Sequence, residues 1–242
     1  MHVLIVADCK IPVIKYGGIA RMIWWLGKHL TQQGITVSYV VQKGSICSFA
    51  KVYELKKDIP FEQQIPEGID IVHYNGYADG NITTPFVVTE HGNINDTSVV
   101  FHPNSIFVSH NHAQRFGATA YVHNGLDFDD YENPNFTTKR TYTHFLADAA
   151  WKVKNVKGAI KIAKQANEKL AVLGGVRFNF NMGIRITLDT HVQFYGQVGG
   201  NQKTQLINGS KELLFRVLWH EPFGIALIES LYYGCSVLGT PY

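Results

Sequence analysis

Short runs of β-branched and apolar residues, most followed by a glycine or polar turn and then by helical periodicity, constrain this chain more than any other feature. Residues 3–7 read as a buried parallel strand bounded by Asp8. Ile19, Ile23, Leu26 and Leu30 then recur at three- and four-residue steps up to Gly34, and residues 37–41 supply the next strand. Two parallel strands joined through a helix make a βαβ unit. Residues 69–73, 86–89 and 105–108 continue the strand series. A second series follows, with strands at 144–147, 170–173, 192–195 and 213–217 and helices at 156–166 and 203–207. Between the two series lies a polar stretch, 132–142, containing Pro134. The expected fold class is α/β with two Rossmann-like domains, 1–131 and 143–242, and residues 132–142 as their linker.

Composition excludes several classes. Of 242 residues, 45% are hydrophobic and 17% charged, which fits an ordinary globular chain and not a disordered one. A formal charge of +3 is too small to indicate a nucleic-acid partner by charge alone. Cys9, Cys47 and Cys235 are too widely spaced for a disulfide framework or a metal-binding pair, which fits a reducing cytosol. Met1 runs straight into a strand without a basic leader, and no stretch approaches the length of a membrane span. His110, His112 and the acidic turn at 127–130 lack the spacing of a metal-ligand set.

The residues with chemistry to offer gather at strand ends. Glu221 and Glu229 are eight apart; Pro222 and Gly224 mark a turn into a helix whose apolar stripe is Ile225, Leu227, Ile228 and Leu231. Eight residues is slightly more than two helical turns. A turn curling back over the helix start would let both carboxylates face one ligand near the amides of Phe223, Gly224 and Ile225. Amide donors suit a phosphate and carboxylates suit sugar hydroxyls; the alternative is two solvated surface glutamates. Tyr16-Gly17-Gly18 is either a structural turn or a place where backbone approaches a phosphate. His91 follows a strand, at the sheet edge where open α/β sheets bind ligands, or is a loop histidine bonded to backbone. Lys152 and Lys154 precede a helix opened by Lys157-Gly158, and read as an anion site or a solvated surface.

Glu-Pro-Phe-Gly followed by apolar residues, a second Glu and Gly-Cys-Ser-Val-Leu-Gly-Thr closely resembles the Glu-x7-Glu segment of retaining glycosyltransferases of the family 4 type, which have the two-domain GT-B fold. The resemblance implies sugar transfer from a nucleotide-diphosphate sugar, without metal or cofactor. It implies Gly17, Gly18, Phe223, Gly224 and Ile225 at the donor, Glu229 as a helix-surface carboxylate on the ribose and Glu221 at the sugar hydroxyls. His91 would stand on the opposite wall of the cleft. Residues 121–127 look like the last strand of the first domain with its Asn-Gly turn. Lys157 matches the family lysine on the diphosphate, but the family arginine is missing, and Lys152 or Lys154 would stand in for it, without a bidentate fork. The implied partners are the donor and a carbohydrate or lipid-linked acceptor, with no nucleic acid, and with self-association and peripheral contact on the inner membrane face as further expectations for a cytoplasmic protein. The family continues past the pattern reached at Tyr242, so the second domain is expected to be incomplete, with an exposed strand edge. A GT-B phosphorylase or epimerase, or a non-catalytic sugar-nucleotide-binding subunit, would use the same carboxylates and cations.

Overall fold

The computed structural model of the chain describes residues 1–13, 17–76, 82–94, 96 and 98–240. Two compact α/β units emerge, one ending at Asp127 and the other running from Phe128. No helix among the described residues is long and apolar enough to cross a membrane.

Six parallel strands form the first sheet: β1 (His2–Val6), β2 (Thr36–Val41), β3 (Lys51–Glu54), β4 (Ile71–Asn75), β5 (Phe86–Glu90) and β6 (Ser105–Phe107), in the order β3-β2-β1-β4-β5-β6. Alternation along the strands splits the core. Val3, Ile5, Val37 and Tyr39 pack beneath helix α1 (Gly18–Gln32), while Leu4, Val6, Val40 and Val72 face the other side. That other side is covered by loop residues and a 3-10 turn at Phe61–Gln64, where Phe61 meets Tyr74 edge-on. Tyr39 locks α1 in place: its hydroxyl donates to the Ile23 carbonyl at 3.0 Å, and a Cβ on Gly27 would lie 1.9 Å from that oxygen. Only glycine leaves room there. Strand β3 and the short helix α2 (His110–Arg115) were not anticipated from the sequence. The strand expected near residue 121 is reduced to one parallel bridge, Phe107 to Tyr121.

In the second sheet β7 (Tyr142–Leu146), β8 (Leu170–Leu173), β11 (Val192–Phe194), β12 (Ser210–Phe215) and β13 (Ser236–Gly239) lie parallel in the order β11-β8-β7-β12-β13. Helices α3 (Val156–Gln165), α4 (Gly200–Asn208) and α5 (Ile225–Tyr232) follow β7, β11 and β12. Ala159, Ile160 and Ala163 of α3 are buried against Phe145, Val172 and Leu214; Ile207 of α4 joins Ala171, Leu173 and Tyr233. Between β8 and β11 a small antiparallel hairpin, β9 (Phe178–Asn179) and β10 (Arg185–Ile186), stands apart from the main sheet. Residues 128–141 pack onto this unit: Phe128 stacks on Tyr232, and Arg140 donates to the Ser210 and Tyr233 carbonyls at 2.6 Å each.

Candidate functional site

Strand order places the chemistry of the second unit. From β7 the chain moves outward through β8 to β11, then returns to β12 on the other side of β7. The loops after β7 and β12 therefore diverge from neighbouring strands, and such a switch point is where open α/β sheets hold ligands. The loop after β7 carries Lys152, Lys154 and the start of α3. Asn155 caps that helix with φ +56°, its Oδ1 accepting from the Gly158 amide at 3.0 Å. A Cβ on Gly158 would meet the Asn155 side chain at 2.4 Å, so the glycine after Lys157 is there to let the cap fold over. The loop after β12 carries Trp219 and Glu221. These two loops meet: Lys154 Nζ lies 2.6 Å from Glu221 Oε2, and Trp219 Nε1 donates to the same oxygen at 2.6 Å. Lys154 also sits 4.8 Å from the Trp219 ring centre and 5.5 Å from that of Trp151. Of the two candidate stand-ins for the missing arginine, Lys154 is thus held by Glu221 between two indoles. Lys152 and Lys157 are exposed, and among the described residues neither forms an ion pair.

Gly224 turns the chain into α5 at φ +85°, with Phe223 before it and Ile225 as the first helical residue. The helix then does the reverse of what its apolar stripe suggested. Its buried residues are Glu229 and Ser230, while Leu231 is 55% exposed. The expectation of Glu229 as a helix-surface carboxylate is overturned: it is 2% exposed, its Oε1 2.6 Å from Lys203 Nζ and accepting from the Tyr131 hydroxyl at 2.7 Å. The polar face turns inward because the sheet beneath it is polar at that point. His144 on β7, fully buried, bonds Ser210 on β12 at 2.7 Å through Nδ1 and Ser230 at 3.0 Å through Nε2. Burial pushes its pKa down to about 3, so the ring is neutral and ties α5 to the sheet. Glu221 and Glu229 belong to separate ion pairs.

In the first unit Gly17 precedes α1 at φ +142°, where a Cβ would come 2.9 Å from Val13, and Gly18 begins the helix. Tyr16 of that loop lies outside the described residues. His91 stands just past β5, and its Nε2 is 3.0 Å from Asn75 Oδ1 at the end of β4. The Asn75 amide points at the Val6 and His73 carbonyls, so its oxygen faces the ring and the Nε2 proton is donated to it. His73 pairs likewise with the Thr89 hydroxyl at 2.7 Å. Burial, reinforced for His91 by His73 and His112, lowers both pKa values to about 4. These groups line a cavity of about 430 Å³ together with Met22, Trp25 and Leu26 of α1 and with Asp127. His112, a candidate metal ligand by residue type alone, is buried with Nε2 on the Gly92 carbonyl at 3.1 Å, and His110 sits against Tyr121.

The loop-to-loop contacts of the second unit, its α3 cap and its switch point coincide with a known domain: residues 128–242 match the family described as Glycosyl transferases group 1. No curated protein matches the chain. Solved structures similar over 99% of it include AviGT4, a glycosyltransferase involved in avilamycin A biosynthesis, with TM-score 0.77, 18% identity and 78% of that chain covered. Sucrose-phosphate synthase from Thermosynechococcus elongatus gives TM-score 0.74 at 13% identity, with 81% covered. Anabaena HepE in complex with UDP and glucose gives 0.67 at 14%, with 80% covered. At these identities the likeness is one of fold, that of GT-B glycosyltransferases, and together with the group 1 domain it supports glycosyl transfer. Lys203, Tyr131, His144 and Trp219 of that domain were missed in the sequence. The lysine and tyrosine lie 26 and 98 residues from the carboxylate they hold, with no local pattern linking them.

Proposed function

We propose that the chain is a retaining glycosyltransferase of the family 4 type, moving a sugar from a nucleotide-diphosphate donor to a carbohydrate or lipid-linked acceptor. The observation that carries this reading is the convergence of Glu221, Lys154 and the α3 start at the switch point of the group 1 domain. As the glycosidic bond breaks, charge grows on the leaving diphosphate. Lys157 and Lys152, with the amides at the start of α3 and at Gly224 and Ile225, stabilise that charge. Glu221, fixed by Lys154 and Trp219, accepts from sugar hydroxyls, and Glu229 serves the ribose from within its ion pair. Gly17 and Gly18 let backbone approach the donor, and His91, a neutral ring donating to Asn75, contacts the transferred sugar. UDP in the HepE complex makes a uridine diphosphate donor the first to try.

Glu229 is a poor test, because its removal also breaks a buried pair. Lys157 is the clean one: it is exposed, so Lys157→Ala leaves the fold unchanged while lowering donor turnover by roughly two to three orders of magnitude. Nucleotide release from UDP-, GDP- and ADP-sugars, followed by chromatography with wild type and variant, measures this. A wild type that neither binds nor cleaves any of the three donors, or a Lys157→Ala variant of undiminished rate, would remove the reading.

A further inference from the structure

The β9–β10 hairpin is turned inside out. From Val176 to Leu188 every even-numbered residue is a large apolar one, and each is between 51 and 76% exposed. Pairing of Phe178 with Ile186 and of Asn179 with Arg185 places the even-numbered residues of both arms on one face and the odd-numbered ones on the other. The odd-numbered face is polar and turned to the domain. Arg177 donates to the Thr187, Asp189 and Val192 carbonyls, and Arg185, buried, donates to the Val176 carbonyl with its guanidinium 5.0 Å from the Phe194 ring centre. A finger that buries arginines and shows its apolar side chains to solvent calls for a non-aqueous partner.

Charge selects that partner. A bilayer demands no shape complementarity of a small apolar finger, only apolar side chains and, for an anionic one, positive charge beside them. Residues 176–188 contain two arginines and no carboxylate, and Asp189, which follows, is paired with Lys164 at 2.9 Å. That pair ties α3 to the end of the hairpin, and Lys161 is exposed one turn before Lys164, so the positive charge beside the hairpin has no carboxylate within it to oppose it. We propose that this hairpin docks on an anionic lipid bilayer, Phe180, Met182 and Ile184 entering the headgroup boundary and Lys161 reaching lipid phosphates. The inference is independent of the donor chemistry above.

Sedimentation of the whole chain with vesicles of phosphatidylglycerol and phosphatidylcholine, and with phosphatidylcholine alone, tests it. Wild type is expected to bind the anionic vesicles, the Phe180→Ser, Met182→Ser, Ile184→Ser triple variant to lose at least tenfold, and Lys161→Glu to lose affinity for anionic vesicles only. Should the triple variant fail to fold by circular dichroism, Phe180→Trp decides instead through a blue shift of emission on adding anionic vesicles. Wild type left in the supernatant, a folded triple variant that binds as well as wild type, or an unshifted emission overturns the proposal. So does a triple variant that only turns a wild-type dimer into a monomer in light scattering, which would assign the face to a second copy.

Discussion

In the first unit His73 and His91 face a cavity with uncharged rings bonded to Thr89 and Asn75; in the second, Lys154 and Lys203 meet Glu221 and Glu229 at 2.6 Å. Both arrangements stand at or near the carboxyl edge of a parallel sheet, yet desolvation acts on them differently. Burial of a titratable ring is tolerated by discarding its proton, which costs nothing at neutral pH and exacts its toll in acid. Burial of an ion pair is tolerated only while both partners are present. The buried rings are therefore vulnerable to a change of medium, the buried ion pairs to a change of residue.

The sharpest test of that contrast is Lys203→Ala. It takes the cation away from a buried carboxylate and should cost about 3–5 kcal/mol in urea unfolding. Adding Glu229→Gln to the same chain removes the buried negative charge as well and should recover part of the loss. A Lys203→Ala variant within about 1 kcal/mol of wild type would show that the pair is not desolvated as its burial implies.

Acid comes next. Above pH 6.5 the folded and unfolded histidines are both neutral and no penalty exists. Below it the unfolded rings take up protons, while folded His73 and His91, with pKa values near 4, do not. Stability should thus fall as the pH drops from about 6.5 to about 4, by on the order of 3 kcal/mol for each of the two rings. His144 adds the same dependence to the second unit. Hydrogen exchange at pH 5, read separately over β4–β5 and over β7, distinguishes the two: His73→Asn with His91→Asn should flatten the response of the first only. An unchanged response in the double variant would break the comparison on its first side.

The smallest effect is expected at Lys154, whose pair with Glu221 is less buried than that of Lys203 with Glu229. Lys154→Met should cost roughly 1–2 kcal/mol in urea unfolding, because Glu221 keeps the Trp219 N–H and lies closer to water than Glu229. A cost equal to that of Lys203→Ala would erase the distinction between the two lysines.

The βα units were legible because each buried parallel strand is a continuous apolar run and each helix repeats at three and four residues, as at Ile23 and Leu26. Strand β3, Lys-Val-Tyr-Glu, was not, since an edge strand half in water carries charge at both ends. The hairpin had a visible signal in its strict alternation from Val176 to Leu188. Alternation says that one face is apolar, but only the structure shows that this face is the outer one. Helix α5 misled for a related reason. Its stripe of Ile225, Leu227, Ile228 and Leu231 is real, but His144 and Ser210 made the sheet beneath it polar, and hydrogen bonding outweighed burial of those apolar groups. The carboxylate spacing was legible as a local pattern, whereas the cations paired with Glu221 and Glu229 come from elsewhere in the chain.

Tyr39 and Gly27 behave as a single inherited character. With the hydroxyl occupying the space a methyl group would need, no side chain can enter position 27 unless the ring at position 39 is shortened first. Among descendants of an ancestor with this pair, lineages that gained alanine at 27 should be those that had already lost tyrosine at 39. The order of the two replacements, recoverable from reconstructed ancestors, would then record a one-way path imposed by a single hydroxyl group.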